Sequence, residues 1–459
     1  MKTQQFTISF FCLLLSSLTL GQANDSVAIQ DEIELSRQLL QELEDSVGRL
    51  DMSLVESMDQ ITSRLVSLRQ FEEAHSMLDR ALHITRINQG LHTQNQLPYL
   101  GMKIESYANQ GDWGAARQQM LHLESFYRIN EIRVDGELID ELLRFSDLHL
   151  RGIAEDGGAW QDYHFRQAAS LNWVALQAAE LAWGESDPRL VPILYRQISH
   201  LHLQNVAVDH GGSTGYALRK LLPGSSYVRD KDLVRTTHFF TGAAMLNRIS
   251  QIYNNAEPPE LEALAMSRLY LADWQALFNR PAEAVDTYRA AYAALLDAGG
   301  DRTQIDELFS EPAILPTLEF FPSVAAAIAS RGAQQAGDEI EPSARSSATL
   351  SFREWSSAFS NAPSPNLASI AEKDSNFALF SFTLVGVNQV SRWFRGSYTK
   401  TVNVIEEAEL LNQLIGTSAT ESELLEKLDL LRFRPMFIDG EPQQASGMLK
   451  YHLAEGASN

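Results

Sequence analysis

From Asp31 to about Ala329 the apolar residues recur three and four positions apart with almost no interruption. Leu39, Leu43, Val47 and Leu50 form one such stripe, and Met58, Ile61, Leu65 and Leu68 form the next. That spacing places side chains on one face of a helix, so the region is predicted to be helical. Gln70-Phe71-Glu72-Glu73-Ala74 turns the chain into a partner helix carrying Leu78, Ala81 and Leu82; in a second pair Leu100, Ile104 and Tyr107 precede the Gly111-Asp112-Trp113 turn, and Ala116, Met120 and Leu123 follow it. Between Arg331 and Ser375 Gly, Ser, Ala, Pro and Gln dominate, with breakers at Pro342, Pro363 and Pro365, which reads as a linker. Its one apolar cluster, Leu350, Phe352, Trp355 and Phe359, is expected to dock on a neighbouring domain, because a solvated tether has no use for three aromatics.

Beyond Asn376 the period becomes two. Phe380, Phe382 and Leu384 alternate with Ser381 and Thr383, and a second extended run passes through Arg392-Trp393-Phe394 towards Val402 and Val404. Leu424, Leu425, Leu428 and Leu431 mark a helix; Thr420 and Glu423 ahead of it have capping-box spacing. A strand through Arg432-Phe433-Arg434-Pro435 then ends at the Asp439-Gly440 turn, and a last one runs through Leu449, Tyr451 and Leu453. The predicted order is strand, strand, helix, strand, strand, an α+β unit of about 80 residues.

The helical part repeats itself. Trp113 and Ala116 stand 42 residues after Phe71 and Ala74. At an offset of 94, Phe71, Ala74, Ala81, Leu82, Gly90, Pro98 and Leu100 are echoed by Phe165, Ala168, Ala175, Leu176, Gly184, Pro192 and Leu194. Such self-similarity marks stacked helical hairpins, none of which can bury its apolar face alone. Ala74, Ala116 and Ala168 are the positions where two helix backbones are expected to approach closely, leaving room for a methyl group.

On these residues the chain resembles the tetratricopeptide repeat family in a 42-residue variant: Gly111-Asp112-Trp113-Gly114-Ala115-Ala116 is similar to that family's Gly-x-Tyr-x-x-Ala turn, and a further copy at Phe278 to Ala284 has Pro281 in place of the aromatic. The resemblance covers roughly residues 50 to 130, 160 to 205 and 262 to 300. It implies a mainly α solenoid over 24–330, with Asp59, Ser63, Glu105 and Asn109 facing a groove that holds a peptide or protein. After the linker 331–375, residues 376–455 resemble the C-terminal domain of TonB-type energy transducers through the helix running into Arg432-Phe433-Arg434-Pro435 and the Asp439-Gly440-Glu441-Pro442 turn. The first hairpin departs from that pattern, offering Gly386 and Asn388 for its turn, and no proline-rich arm precedes it. The resemblance implies recognition of an extended segment or self-association.

Composition narrows the setting. Lys2, the apolar run Phe6 to Leu20 and Gly21-Gln22-Ala23 form an export signal, with cleavage expected after Ala23 and a periplasmic destination. The single cysteine, Cys12, leaves with it, so the mature chain has no disulfide, thiolate metal site or cysteine nucleophile, and no membrane-spanning segment is expected. Losing Lys2 takes the net charge from −22 to −23, a field that repels nucleic acid and anionic lipid and suits a cationic or neutral polypeptide partner. With 459 residues, 44% of them hydrophobic, two or three domains each have material for a core.

Catalytic alternatives find weak footing. Gly211-Gly212-Ser213-Thr214-Gly215 satisfies the Gly-x-Ser-x-Gly formula of a hydrolase beside His210. That motif requires a strand before the serine, and the sequence places it in a loop between helices. His200 and His202, two apart on a helix, point to nearly opposite sides and cannot readily share one metal ion. His75, His83, His92 and His122 are expected to be structural, and no cofactor motif occurs. The reading is an exported, non-catalytic scaffold; the rivals are a hydrolase built on Ser213 and a glycan- or lipid-binding protein using Trp160, Trp173 and Trp183, aromatics expected in the core.

Overall fold

In the computed structural model the described residues are 28–129, 133–219, 231–317, 319–336, 348–353, 377–385, 390–393, 396–399, 404–413 and 420–452. The export signal with Cys12 and Ala23, most of the linker including Trp355 and Phe359, and the Gly386 and Asn388 turn lie outside them. The protein is mainly helical with strands towards its C-terminus, and it divides into two compact units, Met1–Arg133 and Val134–Asn459. The division falls inside the region read from sequence as one helical domain, and the strand-rich C-terminus belongs to the second unit together with the helices from 134 onward.

The first unit holds a helix over residues 28–47 (α1), then α2 (Ser53–Ser67), α3 (Phe71–Gln89), α4 (Leu97–Gln110) and α5 (Trp113–Ile129). Ile33 and Leu40 of α1, Leu54, Val55, Met58, Ile61 and Leu65 of α2, and Ala74, Ala81 and Ile84 of α3 share one apolar core. Ala74 and Ala116 are completely buried, as expected of small residues at helix crossings.

The turns repeat in backbone detail. Within a hairpin, Arg69, Gly111 and, in the second unit, Asn279 adopt positive φ, of 58°, 83° and 56°. The residue after each donates its N–H to the carbonyl five positions back: Gln70 to Leu65, Asp112 to Tyr107 and Arg280 to Gln275, at 2.8, 3.0 and 2.9 Å. This is a Schellman-type ending that satisfies an orphan carbonyl. Between hairpins, Gly48, Gly90 and Gly184 all have φ between 94° and 99°. Each receives the N–H of the residue three further on, Asp51, Thr93 and Asp187. The side chains of those residues in turn accept the N–H of Ser53, Asn95 and Arg189. The offsets of 42 and 94 read from side chains therefore coincide with recurring local geometry.

The second unit begins with the hairpin of α6 (Gly136–Glu155) and α7 (Gln161–Trp183), followed by α8 (Leu190–His210), α9 (Gly212–Arg219), α10 (Lys231–Asn254), α11 (Leu261–Leu277), α12 (Pro281–Asp297) and α13 (Arg302–Phe309). Leu150, Ile153, Phe165, Ala168, Leu203, Ala207 and Val208 join α6, α7 and α8 in one core. After a short strand β1 (Ala313–Leu315) comes α14 (Val324–Ala336), which continues past Ser330 into the predicted linker.

The C-terminal strands correct the predicted order. They are β2 (Ala348–Arg353), β3 (Phe377–Leu384), β4 (Val390–Trp393), β5 (Gly396–Thr399) and β6 (Ile405–Gln413); α15 (Glu421–Leu428) precedes β7 (Arg432–Arg434), β8 (Met436–Ile438), β9 (Glu441–Gln443) and β10 (Ala445–His452). The main sheet runs β2-β10-β3-β6, so a piece of the predicted linker supplies an edge strand, parallel to β10. Leu350 and Phe352 are buried there, with Phe352 5.1 Å from the Tyr451 ring, which is the docking expected of that apolar cluster. Pro435 separates β7 from β8, and β7 pairs antiparallel with β1, a strand not foreseen in the helical region. The Asp439-Gly440 turn joins β8 to β9 with φ of 53° and 80°, the positive pair a two-residue hairpin loop demands. Thr420 and Glu423 form the full capping box.

Candidate partner-binding recess

One turn of helix separates Asp59 from Ser63, so both stand on the same face of α2. Together with Gln60, Arg64, Ser67 and Ile29 of α1 they line a recess of about 370 Å³ in the first unit. Ser63 points its hydroxyl back to the Asp59 carbonyl oxygen at 3.1 Å, and Arg64 is held by Glu32 of α1 at 3.1 Å. Burial, reinforced by the neighbouring Glu56 charge, raises the Asp59 carboxyl above its ordinary range. Burial also raises the Tyr99 hydroxyl on α4, with Asp59 and Glu56 contributing in that order, so the tyrosine lies within the field of this carboxylate pair. A hydrogen-bond donor or a cation arriving here would relieve that field.

The other two groove candidates stand elsewhere. Glu105 is half-buried and Asn109 exposed on α4, and neither lines the recess. Their counterparts 42 residues earlier are Ser63 and Ser67, which do line it. Two of the four groove candidates, Asp59 and Ser63, thus line the recess and two do not. Sequence reading misses Ile29, Gln60, Arg64, Ser67 and Tyr99; an offset of one helix turn from Asp59 and Ser63 points to Ser67, whereas nothing in the sequence brings Ile29 or Tyr99 to this place.

The remaining chemical candidates are now placed. Ser213 lies exposed in the first turn of α9, which follows helix α8, so the strand-to-helix elbow is not formed. The glycines there answer to packing: a Cβ at Gly211 or Gly215 would fall 2.4 or 2.3 Å from the Ala207 carbonyl oxygen. His200 and His202 are buried on α8; burial, with Arg196 and Arg432 respectively adding to it, lowers them to about 3 and about 4. Among the described residues no group of three or more His, Cys, Asp or Glu is arranged to hold a metal ion, and no helix is long and apolar enough to cross a membrane. His75 packs its ring 3.9 Å from Tyr107. Trp160 and Trp173 are exposed rather than in the core, because the buried face of α7 is taken by Phe165, Ala168, Asn172, Ala175 and Ala179.

A buried polar chain escapes the sequence altogether. Asp156 meets His164 Nε2 at 3.0 Å, and His164 Nδ1 meets His149 Nδ1 at 2.9 Å. With a carboxylate accepting from Nε2–H, His164 Nδ1 accepts in turn from His149 Nδ1–H, which fixes both tautomers. Burial first, and then the neighbouring His164 imidazole, holds His149 well below the ordinary histidine range. Gly152 makes room for this chain, since a Cβ there would stand 2.4 Å from the His164 ring.

Compared with known protein families and with curated proteins, the sequence matches none.

Proposed function

We propose that the protein is an exported, non-catalytic scaffold that holds a segment of another polypeptide in the recess on α2. Export with cleavage after Ala23 would deliver it to the periplasm. The helical region is read as a tetratricopeptide-like solenoid, and the C-terminal strands as a recognition or self-association module similar to the TonB C-terminal domain. The observation that carries the reading is the twofold recurrence of turn geometry at the 42-residue register, with the open recess on the helix between two such turns. The exposed position of Ser213 after a helix favours a scaffold over a hydrolase.

Arrays of unstructured decapeptides varied in charge and aromatic content, probed with the full chain, test the assignment. The expected result is a reproducible subset of cationic binders that Asp59→Arg combined with Ser63→Trp abolishes while the circular dichroism spectrum stays the same. An unchanged binding profile in that variant would remove the recess from consideration. A second reading, binding of a glycan or lipid, draws on the exposure of Trp160 and Trp173. Quenching of tryptophan fluorescence by oligosaccharides or vesicles, lost in Trp173→Ala, would favour it instead.

A further inference from the structure

Helix α1 ends at Gly48 as α3 ends at Gly90, with the same backbone bonds, so the two helices can be compared position by position at an offset of 42. On α3, Ala74, Met77, Ala81 and Ile84 form the face that joins the core shared with α1 and α2; Ala74, Ala81 and Ile84 are at most 1% exposed. The equivalent positions on α1 are Glu32, Leu35, Leu39 and Glu42. Here Leu35 and Leu39 are 58% and 56% exposed, the Glu32 side chain is 60% exposed and Glu42 is exposed. In the following copy, Ala116, Leu123 and Phe126 are again buried. Helix α1 therefore presents to solvent the face that its counterparts bury, with two leucines at helical spacing between two carboxylates.

We propose that this face of α1 is a docking surface for a basic amphipathic helix of a partner polypeptide, seated where a preceding helix of the repeat would lie. The argument for that occupant is charge complementarity. A second copy of α1 packed antiparallel would bring Glu32 and Glu42 against acidic counterparts, which is destabilising. Residues 1–27 of the chain itself contain one cation, Lys2, and an apolar run rather than a basic amphipathic face. Glutamate at the position of Ala74 and Ala116 also prevents the close approach those alanines permit, so the incoming helix stands further off and reaches Glu42 with long Lys or Arg side chains, Glu32 being already paired with Arg64. Leu35, Leu39 and Glu42 do not line the recess around Asp59, which this surface touches only through the Glu32–Arg64 ion pair.

The test uses the full-length chain and a fluorescently labelled amphipathic peptide of leucine and lysine, followed by anisotropy. Leu35→Ser combined with Leu39→Ser is expected to weaken binding at least tenfold at unchanged net charge; because both residues are exposed, the fold is retained and circular dichroism verifies it. A peptide with the same leucines and glutamate for lysine is expected to bind at least tenfold more weakly than the lysine peptide. Glu42→Gln is expected to weaken binding at least twofold, and because Glu42 does not line the recess this loss separates the surface from it. The proposal is overturned if the double variant binds the lysine peptide within twofold of the parent, or if the glutamate peptide binds equally. It is also overturned if sedimentation reveals a dimer that the double variant dissolves, since the face would then belong to a second copy.

Discussion

Arg434, from the Arg-Phe-Arg-Pro stretch, is bound to α11 by a fully sequestered ion pair. Its Nε donates to Asp273 Oδ1 at 3.0 Å and its Nη2 to Oδ2 at 2.5 Å, while the Tyr288 hydroxyl donates to Oδ1 at 2.7 Å. Both ions are 4% exposed. Burial alone would lower the Arg434 pKa, yet the adjacent carboxylate more than offsets it and the pKa is raised. Arg434→Met strands a buried carboxylate with one neutral donor, and breaking a buried pair in this way costs about 3–5 kcal/mol. Asp273→Leu strands the guanidinium instead and is expected to cost a similar amount. Combining Arg434→Met, Asp273→Leu and Tyr288→Phe in one variant replaces the network by apolar volume and is expected to recover at least about 2 kcal/mol relative to the summed single losses. Urea unfolding at pH 7, followed by far-UV circular dichroism and tryptophan fluorescence, measures each value, with Trp274 next to Asp273 as a local reporter. Single losses under about 1 kcal/mol, or strict additivity, would refute the claim that this pair operates in a dry interior.

Acid should loosen the second unit through its histidines. Burial holds His200 at about 3, and His202 and His238 at about 4, against 6.5 in a free histidine. The unfolded chain therefore takes up protons below pH 6.5 that the native state refuses, and stability falls with pH from there down to the folded values, by about 2 kcal/mol per histidine between pH 7 and 5. Melting temperatures measured at those two pH values should differ, and His202→Leu should narrow the gap; equal values would contradict the assignment. Gly90→Ala and Gly184→Ala force a side chain into φ near 95° with ψ of 157°, at about 1–3 kcal/mol each. No heavy atom lies within 4 Å of either added Cβ, so the loss is purely conformational and a calorimetric scan should show it for both. Thr420→Ala removes the hydroxyl that accepts the Glu423 N–H and is expected to cost about 0.5–2 kcal/mol, read from urea midpoints.

Features carried by a few adjacent residues are legible in the sequence. The capping box at Thr420 and the Asp439-Gly440 turn each depend on backbone geometry that one or two side chains dictate, and each occurs where the sequence places it. Features that join distant residues are not. Arg434 meets Asp273 across 161 positions, β1 is three residues long inside a helical stretch, and β2 reads as a tether because glycine, serine and proline surround it. Hydrophobicity alone assigns Trp160 and Trp173 to the core, yet helix α7 has only one buried face and smaller residues fill it. The 42-residue period shows the same limit from the other side. It identifies Ser63 with Glu105 and Leu39 with Ala81 as equivalent positions, because equivalence is a property of the chain. Which of two equivalents is open depends on what neighbours each copy. Leu39 is exposed and Ala81 buried for the physical reason that α3 packs against the core it shares with α1 and α2, while the matching face of α1 meets none of the described residues in that way. A period read from sequence therefore identifies equivalent positions, and the exposure of each is decided by the residues packed against that copy.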